Sequence, residues 1–318
     1  MTKSSWAFRS ALLLAILFLL SACSKGEKAP SKEKADDAFI VYTSVFPMYS
    51  FTKAIAGEHA DVRLLLPPNA EPHDWEPTPQ DLVNLEKADL LVVNGAGMEN
   101  WLSDIEEALG AKMPSVIMTS DDLTLIEGRA YDHDGEKEPE GKKETKMDPH
   151  VWLSISNAQQ QMKTIADALS KRDAEHAPYY AERYAQNEAK CNDLLQKYKR
   201  ASQEWTKHEI IAVHQAYGYL CHDYGLTQNT LQGLEADAEP TPARMAELSQ
   251  YIQEYQVSVI FTEPRKSPKV AEALAKENNI AIEELDPFEN MEPEKIEANE
   301  DYFTVMERNL DALNKALR

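Results

Sequence analysis

The sequence predicts an α/β protein of two lobes, each a parallel sheet flanked by helices, joined by one long rigid helix. Its 318 residues are too many for one small core and suit two domains of ordinary size. Apolar runs of strand length alternate with helical stretches, the pattern of parallel sheets covered by crossover helices. A short motif in the first half also recurs in the second with the same sequel, as two variants of one design would show.

Taken in order, the chain begins with Lys3 and Arg9, then an apolar run over residues 11–20, then Leu20-Ser21-Ala22-Cys23. The run is too short to span a bilayer as a mature helix, and its basic, apolar and small residues follow one another as in a cleaved bacterial export signal. Residues 1–22 are expected to be a signal peptide ending in a lipobox, leaving Cys23 as the acylated, palmitate-carrying N-terminus. Residues 23–37 are polar and rich in Lys and Glu, and are expected to form a flexible tether.

Residues 38–174 read as the first lobe, with strands over 39–42, 62–66, 90–93 and 116–118. Gly57 is the expected stop of a helix beginning near Met48. Thr78-Pro79 places a capping hydroxyl before a proline in the first turn of the next helix. Residues 127–146 are rich in Gly, Glu and Lys and read as a mobile surface loop.

Residues 175–207 contain no glycine and no proline after Pro178, and carry Tyr180, Tyr184, Leu194, Leu195 and Tyr198. They read as one helix of roughly thirty residues, ~45 Å long, a rod that restricts hinge motion between lobes. Residues 208–318 read as the second lobe, with strands over 210–213, 257–261 and 280–285 and a weaker candidate at 227–231. Thr241-Pro242 and Ser267-Pro268 mark helix starts. The recurring motif is Glu76-Pro77-Thr78-Pro79 against Glu239-Pro240-Thr241-Pro242, each followed by a helix and a strand.

An apolar fraction of 43% with only 11 glycines describes a folded body despite 27% charged residues. The formal net charge of −21 repels phosphates, which argues against nucleic acid as a partner, and it raises the local concentration of cations. Beyond Cys23 the only cysteines are Cys191 and Cys221, too few for a disulfide framework, and buried free thiols are the expectation.

Three histidines stand where strand patterns give way to loops. His73 lies in Glu71-Pro72-His73-Asp74-Trp75-Glu76-Pro77, with prolines on both sides to fix the backbone. His150 lies in Asp148-Pro149-His150-Val151-Trp152-Leu153-Ser154, and His214 opens His214-Gln215-Ala216-Tyr217-Gly218-Tyr219. Groups at the carboxyl ends of parallel strands converge on a crevice, so ligands from both halves can meet there. Glu289 or Asp286, after the last strand, could close a coordination sphere with these imidazoles. Glu263 also ends a strand nearby, with an ion pair to Arg265 the favoured reading. A single histidine in a chain of eight is more often structural than a ligand, so the set carries more than its members. His59, His176, His208 and His222 sit among charged residues on helices or helix ends and receive no role.

On these three motifs, the chain resembles the zinc- and manganese-binding solute-binding lipoproteins of bacterial metal ABC transporters, over nearly all of its mature length. The resemblance implies two lobes bridged by a long helix with the metal in the cleft between them. It implies His73 and His150 as ligands from the first lobe, His214 from the second, and a carboxylate for which Glu289 fits best, with Asp286 in reserve. It also implies capture of Zn2+ for delivery to a separate permease and ATPase by a monomer anchored outside the cytoplasm through Cys23.

Three imidazoles with one carboxylate suit four-coordinate zinc, whereas manganese tolerates more oxygen and a higher coordination number. Manganese-selecting members resemble this chain except for a carboxylate at the place of His214, so histidine there favours zinc over a manganese or iron receptor. Zinc-type relatives often carry a histidine-rich loop where residues 127–146 stand, and this sequence has only His133 there. A zinc hydrolase is an alternative of another class, but no His-Glu-x-x-His helix is present, so no enzyme is expected. A surface adhesin is a third.

Overall fold

Alternate residues of single strands enter different cores, which is what buries both faces of a sheet. Leu90 and Val92 join one apolar cluster while Leu91 and Val93 join a second, and Ile210 and Ala212 likewise part from Ile211. That is the two-residue side-chain period of a strand, and the near-continuous Val/Ile/Leu runs follow from it.

The computed structural model describes residues 38–68, 70–128, 146–234 and 240–318. The expected signal peptide, Cys23, the tether, Asn69, His133 with most of the 127–146 loop, and Glu239 lie outside the described residues. The first four strands are β1 (Ile40–Thr43), β2 (Asp61–Leu64), β3 (Leu90–Val93) and β4 (Ser115–Met118), all parallel, in the order β2-β1-β3-β4. The second four are β5 (Glu209–Ala212), β6 (Thr227–Thr230), β7 (Val259–Thr262) and β8 (Ala281–Glu284), parallel in the order β6-β5-β7-β8. Both sheets thus repeat one topology, which supports the duplication suggested by the recurring Glu-Pro-Thr-Pro motif. The α/β class and all eight strands, including the weak one, are present as predicted.

The first sheet is flanked by α1 (Phe46–Ala56), α2 (Pro79–Leu85), α3 (Leu102–Leu109) and α4 (Ile155–Arg172). Gly57 ends α1 at φ 57° and α2 starts from a reciprocal capping box of Thr78 and Asp81, both as expected. The predicted rod is α5 (Ala177–Ser202), 26 residues or about 39 Å, shorter at both ends than residues 175–207. His176 takes its N-cap position, and the chain beyond Gln203 leaves the helix to bond Leu317 through the Thr206 and Lys207 N–H groups.

The second half contributes α6 (Gly218–Tyr224), α7 (Pro242–Tyr255), α8 (Lys269–Asn278), α9 (Pro293–Glu297) and α10 (Tyr302–Leu317). Thr241 caps α7 by accepting from the Arg244 N–H. Ser267 does not cap α8: Pro268 holds the N-cap position and no side-chain bond closes that end.

Residues Phe39–Arg318 form one compact unit. Its largest apolar cluster takes Val41, Phe51 and Trp152 from the first half, Tyr180, Leu194 and Tyr198 from α5, and Ala212, Phe261, Phe288 and Leu313 from the second. The halves therefore share one interior, and α5 is part of it along with α1, α4 and α10. Cys191 and Cys221 are buried free thiols, as expected.

Candidate metal centre

All strands of a parallel sheet end at the same edge, and the residues just past those ends build the site. His214 lies two residues after β5, Glu263 directly after β7, and Glu289 five residues after β8. His73 lies on the loop between β2 and α2. His150 precedes a single 3-10 turn, Val151–Leu153, that leads into α4 through the Ser154 cap.

These loops bring four donors together. One ligand atom each from His73, His150, His214 and Glu289 lies within 4.8 Å of all the others. Glu289 Oε1 stands 2.6 Å from His150 Nε2, 3.1 Å from His214 Nε2 and 3.6 Å from His73 Nε2. Donors around a tetrahedral zinc with bonds of ~2.0–2.2 Å are ~3.3–3.6 Å apart, so only small shifts separate this arrangement from a coordination shell. The three imidazoles surround the carboxylate at ring-centroid separations of 5.2, 5.3 and 6.1 Å.

Two of the rings have a carboxylate behind them. His150 Nδ1 lies 2.7 Å from Asp148 Oδ1, which also accepts the His150 backbone N–H at 3.0 Å. His214 Nδ1 bonds Glu263 Oε1. An ionised carboxylate only accepts, so each Nδ1 carries the proton and each Nε2 is directed to the centre. Burial opposes charge on both rings, yet Asp148 raises the pKa of His150, and Glu263 with Glu289 raises that of His214 to about 10. Burial likewise disfavours charge on Glu289, but His214, His150 and His73 hold its carboxyl well below the usual carboxylate range. Protons and a divalent cation compete for the same imidazole lone pairs, and the buried negative charge favours either.

Further bonds fix the ligand loops. Asn94 Nδ2 donates to the Pro149 carbonyl at 2.9 Å, and buried Glu99 holds the Asn94 and Gly95 N–H groups at 2.8 Å each. Trp152 Nε1 donates to the Pro287 carbonyl at 2.8 Å, tying the His150 turn to the Glu289 loop. Gly218 is needed beside Asp148, because a Cβ there would lie 2.3 Å from Asp148 Oδ2.

The four expected donors converge, but two expectations need correction. Asp286 is not in the cluster: its Oδ1 accepts from the Phe288 N–H and its Oδ2 from Arg308, at 2.8 and 3.1 Å. Phe288 adopts φ 60°, a left-handed turn that sends the chain back so that Glu289, not Asp286, enters the site. Glu263 does not pair with Arg265: Arg265 instead reaches the Pro68 carbonyl and Glu292, while Glu263 serves His214 and lies 3.8 Å from Lys266. The supporting roles of Asp148, Glu263 and Trp152 were not anticipated. Asp148, two residues before a histidine across a proline, had a local signature in the Asx turn, whereas Glu263 meets His214 only because β7 lies beside β5.

Of the histidines given no role, His176 bonds Asp173 and stacks on His59, with ring centroids 4.0 Å apart. No helix among the described residues is long and apolar enough to cross a membrane.

The family described as zinc-uptake complex component A, periplasmic (ZnuA), matches residues 41–316. The chain is 37% identical over 306 residues to the high-affinity zinc uptake system protein ZnuA of Bacillus subtilis, covering 96% of each. It is 32% identical over 300 residues to the zinc-binding lipoprotein AdcA of Streptococcus pneumoniae, covering 94% of this chain but 60% of that protein. Among solved structures, the Zn(II)-bound ZnuA-like domain of Streptococcus pneumoniae AdcA superposes with a TM-score of 0.75 at 31% identity, covering 88% of this chain and 99% of that one.

Proposed function

Because this chain belongs to the ZnuA family of zinc-uptake solute-binding proteins, we propose that it captures one Zn2+ through His73, His150, His214 and Glu289 and hands it to an ABC permease driven by a separate ATPase. The observation that carries this reading is the convergence of four donors from four separate loops within 4.8 Å. We read residues 38–174 and 208–318 as the two metal-binding lobes, with residues 175–207 as the connector between them.

Three imidazoles and a single carboxylate match zinc better than manganese or iron, which favour more oxygen. A transported ion is best enclosed by protein, and four protein donors fill a tetrahedral shell without leaving a position for reactive water. This favours transport over hydrolysis, and no specific observation favours an adhesin. The chain acts outside the cytoplasm as a monomer, anchored to the membrane through an acylated Cys23 after removal of residues 1–22. The basic-apolar-Cys order of the leader supports this anchoring, as does the lipoprotein named among its relatives.

Calorimetric titration tests the assignment. One Zn2+ per chain is expected, with affinity lowered in each of His73→Ala, His150→Ala and His214→Ala. Unchanged zinc affinity in all three variants would remove the basis for a transport role.

A further inference from the structure

Glu71 stands two residues before His73, and its Oε1 is buried with no hydrogen-bond partner among the described residues. The other oxygen of Glu71 is engaged: Oε2 lies 2.9 Å from Lys266 Nζ. Lys266 comes from the opposite half, on the loop after β7, and its ammonium also lies 3.8 Å from Glu263 Oε2. Burial works against the charge on Lys266, but Glu263, Glu289 and Glu71 together hold its pKa above the ordinary lysine value, so it remains an ammonium.

A fixed positive charge beside a site for a divalent cation opposes binding by simple repulsion. The ammonium is instead held against the Glu71 carboxylate. Glu71 is on the same short loop as His73, yet it is not one of the four converging groups. An added carboxylate would raise the coordination number and the oxygen content of the shell, the two properties that move a site from zinc toward manganese.

We propose that Lys266 is a specificity-determining residue that withholds Glu71 from the metal, keeping the shell at three imidazoles and one carboxylate and so favouring zinc over manganese. The inference rests on the reading of His73, His150, His214 and Glu289 as the zinc site. Arg265, the neighbour of Lys266, already binds the loop backbone at Pro68, so losing the ammonium alone leaves that loop tethered.

Cobalt is the probe, because four-coordinate Co2+ absorbs visible light far more strongly than five- or six-coordinate Co2+. The full chain loaded with Co2+ is expected to give the intense four-coordinate bands, and Glu71→Gln alone is expected to leave them unchanged. Lys266→Met is expected to weaken those bands and to lower the ratio of zinc to manganese affinity about tenfold, the scale of changes next to a metal shell. Adding Glu71→Gln to Lys266→Met is expected to restore both. Should Lys266→Met fail to fold by circular dichroism, Lys266→Gln is expected to move the spectrum and the ratio in the same direction. An unchanged spectrum and ratio in the folded lysine variant overturns the proposal. So does an altered spectrum that Glu71→Gln fails to restore, or one already altered by Glu71→Gln alone. Failure of the unmodified chain to bind one Co2+ would instead overturn the zinc-site reading itself.

Discussion

His150 and His73 both enter the centre from the first half, but they are held by opposite means. The His150 ring is wholly buried and is fixed by its own turn: Asp148 takes both its Nδ1–H and its backbone N–H, and Asn94 holds the Pro149 carbonyl between them. His73 stands on a loop outside any helix or strand, and that loop is held largely from the other half. Asn290 Nδ2 donates to the Pro67 and Ala70 carbonyls at 3.3 and 3.1 Å, Arg265 to the Pro68 carbonyl at 2.8 Å, and Lys266 pairs with Glu71. The His150 ring is thus oriented by acceptors on its own turn, although Trp152 also ties that turn to the Glu289 loop. The His73 loop is instead held by bonds that cross from the second half.

The largest expected effect separates the two donors directly. His150→Ala should weaken zinc binding by more than about 100-fold, beyond the loss typical of a residue that only supports a ligand, and His73→Ala should cost measurably less. Competition titration against a chelator reads both, and equal losses would break the comparison. Next, Asp148→Asn and Glu263→Gln should each cost about 10–100-fold, because the ring behind each is left without its anionic acceptor. Calorimetry checks the pair, and a Glu263→Gln protein with native affinity would show that His214 needs no such partner.

A smaller effect is expected where only the loop is loosened. Asn290→Ala removes two of the bonds across the halves, so zinc should dissociate several-fold faster in stopped-flow chelation, on the scale of a ~1 kcal/mol hydrogen bond. An unchanged rate would place the control of release elsewhere. The smallest effect on metal binding belongs to Asp286, which faces Arg308 rather than the ion. Burial raises its carboxyl from 3.8 to about 6, against the opposing pull of the Phe288 N–H and Arg308. The folded state therefore holds this proton more tightly than the unfolded chain does. The resulting stability, of order 1–3 kcal/mol, is full below pH 3.8 and is lost as pH rises through about 6. Asp286→Asn should abolish that dependence in denaturant titrations over the same window while leaving zinc affinity as it was.

The fold was legible because central strands such as β3, β5 and β7 are near-continuous apolar runs, a pattern that leaves few alternatives to a helix-covered parallel sheet, whereas the polar edge strand β6, Thr-Gln-Asn-Thr, is only weakly marked. The donors were legible because each histidine sits beside a loop signature, and because three such motifs together resemble one family. Relations across strands were less so. Glu263 pairs with His214 because β7 neighbours β5, an adjacency that local sequence does not encode, so the nearer Arg265 looked like the partner. The choice between Asp286 and Glu289 turned on one residue, since the left-handed Phe288 reverses the chain, and a bulky aromatic gives no warning of positive φ. Ser267 failed as a cap because its helix starts two residues on, at Lys269.

Cys191 and Cys221 bear on the chemical durability of the molecule. Oxidants and alkylating reagents attack the thiolate, and burial pushes the Cys191 thiol up to about 12 and that of Cys221 higher still. Both sulfhydryls stay protonated and sealed at neutral pH, so the folded chain can carry them through an oxidising compartment without a dedicated reductant. A thiol-reactive dye will then reach Cys191 and Cys221 only in molecules that have opened, which makes the rate of labelling at these two positions a clock for unfolding.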